Sequence, residues 1–378
     1  MMITKVFFKN YKAFNSEEVM EIKPITLLLG KNSSGKTSLT KLISMLSSST
    51  ECKEGTLLLL RNEANVRYAN RYEDLFHRNL TTDMQLGVGY EDGTIIKNSY
   101  LMNDGKLFVN SFNLVSPYGD KNVNFLDDIP STDIQGIFYK PVFDEMHIEI
   151  SSLRFKVNYL GPIRKQLEPV FSYSGGSDKQ NVGNEGQYAQ DILLDSFKTD
   201  QVLYQSVSAW MTDYLEGQRL SIESNGPASG TYSLFVNRND AKVNVVDVGQ
   251  GLTQVLPVVI ESYLPKTAEI EIVEQPALHL HPAAHSHIAE RLVDSAVTMQ
   301  KKYIIESHSK TFLLGIRKKV ACGDISAKDV VIYFVNSDDD GSFLKMIHVQ
   351  SDGSLDAPLP GVFEEDYELF TDILNKRR

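Results

Sequence analysis

The sequence predicts an α/β fold into which an antiparallel β-sheet and a small helical subdomain are inserted. An apolar run of strand length at 25–29 precedes a glycine-rich loop and a helical pattern, and beyond residue 240 strand-like and helical runs alternate. Residues 84–109 alternate short apolar runs with Asp-Gly turns, which is typical of antiparallel hairpins. Residues 188–217 carry apolar side chains at helical spacing. We therefore expect two α/β parts that flank these insertions.

Composition limits the classes of function. The 378 residues, 42% of them hydrophobic, suffice for one large domain or two to three smaller ones. The net charge of −11 argues against nucleic-acid binding by bulk electrostatics, leaves room for a local basic patch, and favours a protein partner. Cys52 and Cys322 lie far apart, so neither a disulfide scaffold nor a cysteine-based zinc site is supported. The N-terminus lacks a signal peptide's apolar core and no apolar run reaches roughly 18 residues, so we expect a cytoplasmic protein without membrane insertion.

The strand at 25–29 leads into residues 30–37, which have the pattern G-x-x-x-x-G-K-[ST] of a phosphate-binding loop. The helix that such a loop requires is indicated by the spacing of Leu39, Leu42, Ile43 and Leu46. Backbone N–H groups of the loop turn toward phosphate oxygens, and the helix presents its positive N-terminal end to the same charge. The sequence therefore predicts a bound nucleoside triphosphate.

Individual roles follow from this loop. We expect Lys36 to reach the β- and γ-phosphates and Thr37 to ligate magnesium. The predicted nucleotide-binding residues are Gly30, Lys31, Asn32, Ser33, Ser34, Gly35, Lys36, Thr37 and the adjacent Ser38. Strands at 3–8 and 17–22 are expected to form a hairpin beside the nucleotide. Tyr11 and Phe14 in its connection have two interpretations, contact with an adenine or an ordinary place in the core.

The middle of the chain is less informative. Residues 110–145 have weak periodicity and are expected to be loops. Residues 159–164 close an apolar strand and place Arg164 just beyond a Gly-Pro turn. A polar, glycine-rich loop, mobile or facing the nucleotide, is expected at 173–186.

Beyond residue 240, three further segments point to the same site. A strand at 243–248 is expected to enter Gly249-Gln250-Gly251-Leu252-Thr253-Gln254, a second anion-binding turn at a helix N-terminus. The strand at 270–273 ends in Glu274-Gln275-Pro276, where a carboxylate can hold magnesium, usually through a water. The strand at 303–305 ends in Glu306-Ser307-His308-Ser309. Because ligands of open α/β sheets bind at the carboxyl edge, these segments are expected to meet there.

This order of motifs resembles the ABC-type ATPases of the RecF and OLD (overcoming lysogenization defect) group. Within that group the chain is similar to the compact single-chain ATPases of bacterial anti-phage defence systems. The resemblance covers residues 1–50 and about 155–378, including a tail at 360–365 that looks like a small C-terminal domain. It implies an ABC-type P-loop ATPase head with ATP and Mg²⁺ as ligands. It also implies a head-to-tail homodimer, or a higher even-numbered homo-oligomer, in which each copy completes the ATP site of the other.

The resemblance also implies roles for single residues. Glu274 is carried over as the magnesium-side acid beside Thr37, and His308 as the switch histidine that senses the γ-phosphate. The signature segment that contacts ATP of the partner copy comprises Gly249, Gly251, Leu252, Thr253 and Gln254. The implied organisation has an N-terminal ATPase lobe, an inserted β-rich segment, a helical subdomain, a second ATPase lobe and a small C-terminal hairpin and helix region, which span 1–55, 56–158, 159–240, 241–335 and 336–378.

One position departs from the family pattern. Most ABC ATPases have a glutamate that orients the attacking water where this chain has Gln275. A glutamine amide can position a water but cannot accept its proton, so we expect slow hydrolysis unless Glu306 or a nearby carboxylate acts as base. The alternative is that glutamine is a harmless variant, because positioning dominates phosphoryl transfer.

Two other signals are set aside. His279, His281, His285 and His287 crowd one stretch, but their spacing matches no common zinc site. The acidic run 338–340 resembles the cluster of Toprim nucleases, yet it lies between two strand-like runs and predicts a hairpin turn. The roughly 70 residues after His308 are too few for an extra nuclease domain on ordinary domain sizes. We therefore expect a separate effector protein, for which the resemblance implies a nuclease. The alternative function is a RecF-like clamp that binds DNA directly, and a transporter motor is disfavoured.

Overall fold

A computed structural model of the chain describes residues 1–79, 81, 83–125, 133–173, 179–226, 229–239 and 241–358. The helices are α1 (Lys36–Thr50), α2 (Lys140–Glu145), α3 (Ala189–Lys198), α4 (Val202–Tyr214), α5 (Gln250–Tyr263), α6 (Pro282–Thr298) and α7 (Lys310–Ala321). The strands are β1 (Ile3–Lys9), β2 (Glu18–Glu21), β3 (Ile25–Gly30), β4 (Asp83–Tyr90), β5 (Ile95–Asn103), β6 (Lys106–Ser116), β7 (Gly119–Asn124), β8 (Ile134–Gln135), β9 (Phe138–Tyr139), β10 (Val157–Leu160), β11 (Phe171–Ser172), β12 (Arg219–Ser224), β13 (Thr231–Arg238), β14 (Ala241–Asn244), β15 (Ile270–Glu274), β16 (Lys302–Glu306), β17 (Val330–Ser337) and β18 (Ser342–His348).

A six-stranded, mostly parallel sheet organises the molecule, with the strand order β10-β15-β16-β3-β17-β18. The first five strands run parallel, and β18 returns antiparallel to β17 through the turn expected at 338–341. The predicted strands at 25–29, 270–273 and 303–305 are β3, β15 and β16. The predicted α/β class is confirmed.

Both faces of this sheet are covered, as is usual for parallel strands. Every residue of β3 is buried, and its side chains alternate between two apolar clusters. Leu27 and Leu29 belong to the cluster that includes α3 to α7, whereas Leu28 belongs to the cluster built on α1 and the antiparallel strands. The central strand is therefore held rigidly from both sides, directly before the glycine loop.

The second sheet is antiparallel and has the order β2-β1-β4-β5-β6-β7. It contains the expected inserted strands, but the N-terminal strands β1 and β2 complete it, since β1 pairs with both β2 and β4. The expectation of loops at 110–145 is wrong, because β6 continues to Ser116, β7 follows, and β8, β9 and α2 occupy described residues after 133. β7 is a polar edge strand whose residues are all exposed or half-buried, so it leaves no apolar pattern in the sequence.

The segment from 159 to 240 contains the expected helices α3 and α4, and additionally β11 to β13, which form a small antiparallel sheet with β14 directly after this segment. The strand expected at 243–248 is wrong beyond Asn244. There the Asn244 side chain accepts a hydrogen bond from the Val246 N–H, and Val245–Asp247 form a 3₁₀ turn instead. Residues 174–178 of the glycine-rich loop expected at 173–186, and the tail at 360–365, lie outside the described residues.

Candidate functional site

The carboxyl ends of three parallel strands meet at one edge of the central sheet. β15 ends at Glu274, β16 at Glu306 and β3 at Gly30. The pairing register places Glu274 opposite Glu306, and Glu306 opposite Leu28 two residues before Gly30. The topology thus brings together the phosphate-binding loop and both predicted strand-end carboxylates.

The glycines of the loop occupy positions that other residues fill poorly. Gly30 has a φ of 147°, and a Cβ added to it would lie 2.2 Å from the Val335 carbonyl oxygen of the neighbouring strand. Gly35, at the start of α1, has a φ of 102°. Lys31, Asn32 and Ser33 are exposed between them, and Ser34 is buried. The loop therefore turns sharply off β3, with its middle open to solvent and α1 directly behind it.

Lys36 begins α1 and points back across the loop. Its ammonium donates hydrogen bonds to the carbonyl oxygens of Gly30 at 3.0 Å and Lys31 at 2.6 Å. The side chain is buried, which lowers the pKa of Lys36, while the charge of Glu306 acts in the opposite direction. A phosphate in this loop would meet an ammonium that is already positioned.

Glu306 connects the loop to the end of β15. The Thr37 hydroxyl donates to its Oε2 at 2.9 Å, and the Gln275 side chain also hydrogen-bonds to its carboxylate. The Gln275 N–H donates to the Glu306 carbonyl oxygen at 2.8 Å, and Gln275 has a left-handed φ of 48°. Burial raises the pKa of Glu306. A hydroxyl, an amide and a carboxylate thus lie together beside the loop.

Glu274 is held differently. Thr40 Oγ1 and the Tyr159 hydroxyl, at 2.6 Å, both donate to its Oε1. Burial, and then the charge of Glu306, raise the pKa of Glu274 to about 7. The carboxylate in direct contact with Thr37 is therefore that of Glu306, while Glu274 contacts α1 one turn further along.

His308 lies beside the loop as well. It forms a hydrogen bond with the Gly30 backbone, and burial followed by the nearby Lys36 charge lowers its pKa. The adjacent Ser309 caps α7, accepts a hydrogen bond from Phe312 N–H, and contacts a ring nitrogen of His285 at 2.7 Å. The imidazole of His308, a solvent-exposed residue, is thus placed next to the first glycine of the loop.

The segment 249–254 forms the N-terminus of α5, as expected. Gly249 has a φ of 101° with open space around it, whereas a Cβ on Gly251 would lie 2.9 Å from the His279 carbonyl oxygen. Leu252 and Thr253 are buried, and Gln254 is half-buried. The described contacts of this segment are with Arg164 and the 279–280 loop rather than with the phosphate-binding loop of the same chain.

Three residues at this edge were not predicted as site residues. Thr40 and Tyr159 hold Glu274, and Arg164 donates to the backbone carbonyls of Glu274 and Gln275. Thr40 lies three positions after Thr37 on α1, so helical spacing alone would have indicated that both face the strand ends. Arg164 follows the end of β10, which reaches the same carboxyl edge.

The remaining candidates were the two aromatic residues after β1 and a possible histidine metal site. Tyr11 and Phe14 are fully buried in the core, which matches the second interpretation offered for them. Among the residues that the structure describes, no three His, Cys, Asp or Glu side chains form a group able to hold a metal ion. Within the same residues, no helix is both long and apolar enough to cross a bilayer.

The geometry can be compared with known proteins. Residues 1–151 match the family model AAA_15, described as an AAA ATPase domain. No curated protein matches the chain significantly. Among solved structures, an Smc head bound to the C-winged helix domain of ScpA superposes with a TM-score of 0.52 at 12% identity, covering 92% of this chain and 99% of that one. An Smc head domain with an extended coiled coil, bound to the C-terminal domain of ScpA derived from Pyrococcus furiosus, gives 0.48 at 11% identity, covering 98% and 99%.

The first of these structures shows a shared fold, that of an SMC or ABC-type ATPase head. Together with the family match, this fold supports an ATP-binding P-loop ATPase. The narrower resemblance to the RecF and OLD group stays a prediction.

Proposed function

We propose that this chain is an ATP-binding ABC-type ATPase that forms an ATP-sandwiched head-to-tail dimer and hydrolyses ATP slowly. In this proposal the dimer controls a separate effector, a nuclease, in cytoplasmic defence against phage. The observation that carries the ATPase part is the convergence of Lys36, Thr37, Gln275 and Glu306 at one sheet edge. The Smc head that shares the fold is bound to a domain of another protein, which is a precedent for a head acting on a separate partner.

The exposed N-terminus of α5 supports the proposed dimer. Gly249 and Gln250 are exposed, and nothing lies within 4 Å of a Cβ built on Gly249. The first N–H groups of a helix lack intrahelical partners and favour an anion. In our proposal the γ-phosphate bound by a second copy takes this place.

The donor set beside the loop fits magnesium. Thr37 offers a hydroxyl and Glu274 offers a carboxylate, and both are hard oxygen ligands. Thr37 would hold the ion directly and Glu274 through a water. When bound, the ion neutralises charge on the β- and γ-phosphates.

In the hydrolytic step one side chain orients the attacking water and another accepts its proton. The Gln275 amide orients a water toward the γ-phosphorus, and the Glu306 carboxylate accepts the proton of that water. The oxygen of the water bonds to phosphorus, and the bond to the β–γ bridging oxygen breaks, so that ADP leaves with that electron pair. Lys36 and His308 contact the γ-phosphate. The Thr37 hydroxyl donates to the same carboxylate and weakens it as a proton acceptor, so we expect turnover to stay slow even with Glu306 as the base.

Replacing Gln275 with glutamate is expected to raise steady-state ATP turnover by about tenfold or more, because one side chain then both orients the water and accepts its proton. Phosphate release is the measurement. Gln205→Glu, an exposed position on α4, controls for the added charge. The slow-hydrolysis proposal is wrong if the unmodified protein already turns over at an ordinary ABC rate and Gln275→Glu adds nothing.

The dimer is tested by the mass of the protein in solution. We expect the mass to double on addition of ATP and Mg²⁺, and Lys36→Ala to keep the mass of a single chain. An unchanged mass for the unmodified protein contradicts the dimer. Co-purification with the product of an adjacent gene supports the effector, whereas strong, salt-dependent DNA binding by the ATP-bound protein alone supports the RecF-like alternative instead.

A further inference from the structure

Arg164 is a buried guanidinium between the signature segment and the catalytic strand end. It lies in the loop after β10 and is 3% exposed, although the preceding Ile163 is 82% exposed. Burial lowers the pKa of Arg164 to about 10, and the nearby Glu274 charge opposes this effect. Burying an arginine costs free energy unless its N–H groups have hydrogen-bond partners. The partners of Arg164 therefore indicate its role.

Those hydrogen bonds join two elements. Nη2 donates to the Glu274 carbonyl oxygen at 2.7 Å, and Nη1 donates to the Gln275 carbonyl oxygen at 3.3 Å. Nη1 also lies 3.4 Å from Oε1 of Gln254 on α5. The Nε N–H has no protein partner among the described residues. One planar group thus holds the backbone on both sides of the Gln275 side chain and touches the signature segment.

The backbone at this point is sensitive to such a restraint. Gln275 has a left-handed φ of 48°, which a non-glycine residue adopts only when its surroundings hold it there. Its N–H is fixed by the Glu306 carbonyl, so the guanidinium supplies the restraint on the other side of the peptide. Displacement of a reacting group by about 1 Å is enough to reduce a rate 100-fold.

We infer that Arg164 is a positioning residue that couples the signature segment to Gln275 of the same chain. The inference rests on the proposed dimer. Gln254 belongs to the segment that closes on the ATP of the partner copy, while the Gln275 backbone sets the water-orienting amide at the chain's own ATP. When the signature segment contacts the ATP of the partner copy, the guanidinium of Arg164 shifts the Gln275 backbone at the chain's own ATP. The two ATP molecules are therefore hydrolysed cooperatively.

The test is Arg164→Lys, which keeps the charge but replaces a planar fork with a point charge that cannot hold two carbonyls and Gln254 together. We expect the ATP dissociation constant to change less than about threefold, turnover to fall about tenfold or more, and the Hill coefficient for ATP hydrolysis to fall to about 1. The matched control is Arg291→Lys. Arg291 donates to Ser262 and lies over the Tyr263 ring, so it fixes the opposite end of α5.

Gln254→Met provides the second variant should Arg164→Lys fail to fold. It removes the signature-side contact and leaves both carbonyl contacts of Arg164 in place. We expect it to reduce the Hill coefficient, and the double variant Arg164→Lys/Gln254→Met to lose no more cooperativity than the stronger single variant.

Three outcomes separate the possibilities. Cooperativity that survives both Arg164→Lys and Gln254→Met in an ATP-dependent dimer overturns the coupling alone. An equal loss in Arg291→Lys also overturns it, because any loosening of α5 would then have the same effect. An unmodified protein that remains a single chain in ATP contradicts the proposed dimer itself.

Discussion

Replacing Glu306 with glutamine is expected to lower ATP turnover by about 100-fold or more and to leave ATP-bound dimers that persist. Glutamine retains the shape and can still accept the hydrogen bond from Thr37, but it cannot take the proton of the attacking water. ATP binding depends on the loop and on Lys36, which the substitution leaves in place. Single-turnover hydrolysis and the lifetime of the dimer after dilution of ATP are the two measurements.

The matched control for this change is Glu271→Gln. Glu271 is also buried and lies on β15, three residues before Glu274 and away from the carboxyl edge. Its replacement removes a buried carboxylate without touching the site, so we expect turnover within about threefold of the unmodified protein. If Glu306→Gln hydrolyses ATP as fast as Glu271→Gln, Glu306 is not the proton acceptor.

Replacing Gly30 with alanine is expected to destabilise the protein by about 2–4 kcal/mol and to abolish ATP binding. The new Cβ would lie 2.2 Å from the Val335 carbonyl oxygen, and both strands are held within the central sheet. Relief of this overlap requires β3 to move away from β17, which displaces the loop that begins at Gly30. Denaturant unfolding and ATP titration measure the two effects.

Gly93→Ala separates backbone strain from steric overlap. Gly93 has a φ of 91°, but nothing lies within 4 Å of a Cβ built there. We expect it to cost about 1 kcal/mol and to leave ATP binding intact. Equal destabilisation by both substitutions would show that the contact with β17 contributes little, contrary to our account.

The phosphate-binding loop was predictable because its signal is local. Strand, loop and helix are consecutive in sequence, and each has its own pattern of apolar residues and glycines. The strand ends at Glu274 and Glu306 followed from the rule that parallel strands share a carboxyl edge. β7 and the strands β11 to β13 were missed because tertiary pairing, rather than a long apolar run, defines them.

The environment of Glu274 could not be obtained from sequence alone. Tyr159 is separated from Glu274 by 115 positions, and the contact requires the parallel pairing of β10 with β15. Arg164 depends on the same pairing and on how α5 packs beside the strand end. Contacts between residues so far apart in the chain produce no regular spacing in the sequence. The residue type and its position near the end of a predicted strand are the only indications that the sequence offers.

The sharing of β1 between two parts of the chain limits how the protein can be shortened. β1 pairs with β2 on one side and with β4 on the other, so removal of the residues from β4 to β7 would expose a full row of unpaired backbone groups. Phe14, close after β1, places its ring beside Gly35 of the phosphate-binding loop. The antiparallel sheet is therefore not a detachable insertion, because the connection that follows β1 packs against the phosphate-binding loop. We expect chains that lack β4 to β7 to self-associate through the exposed edge of β1.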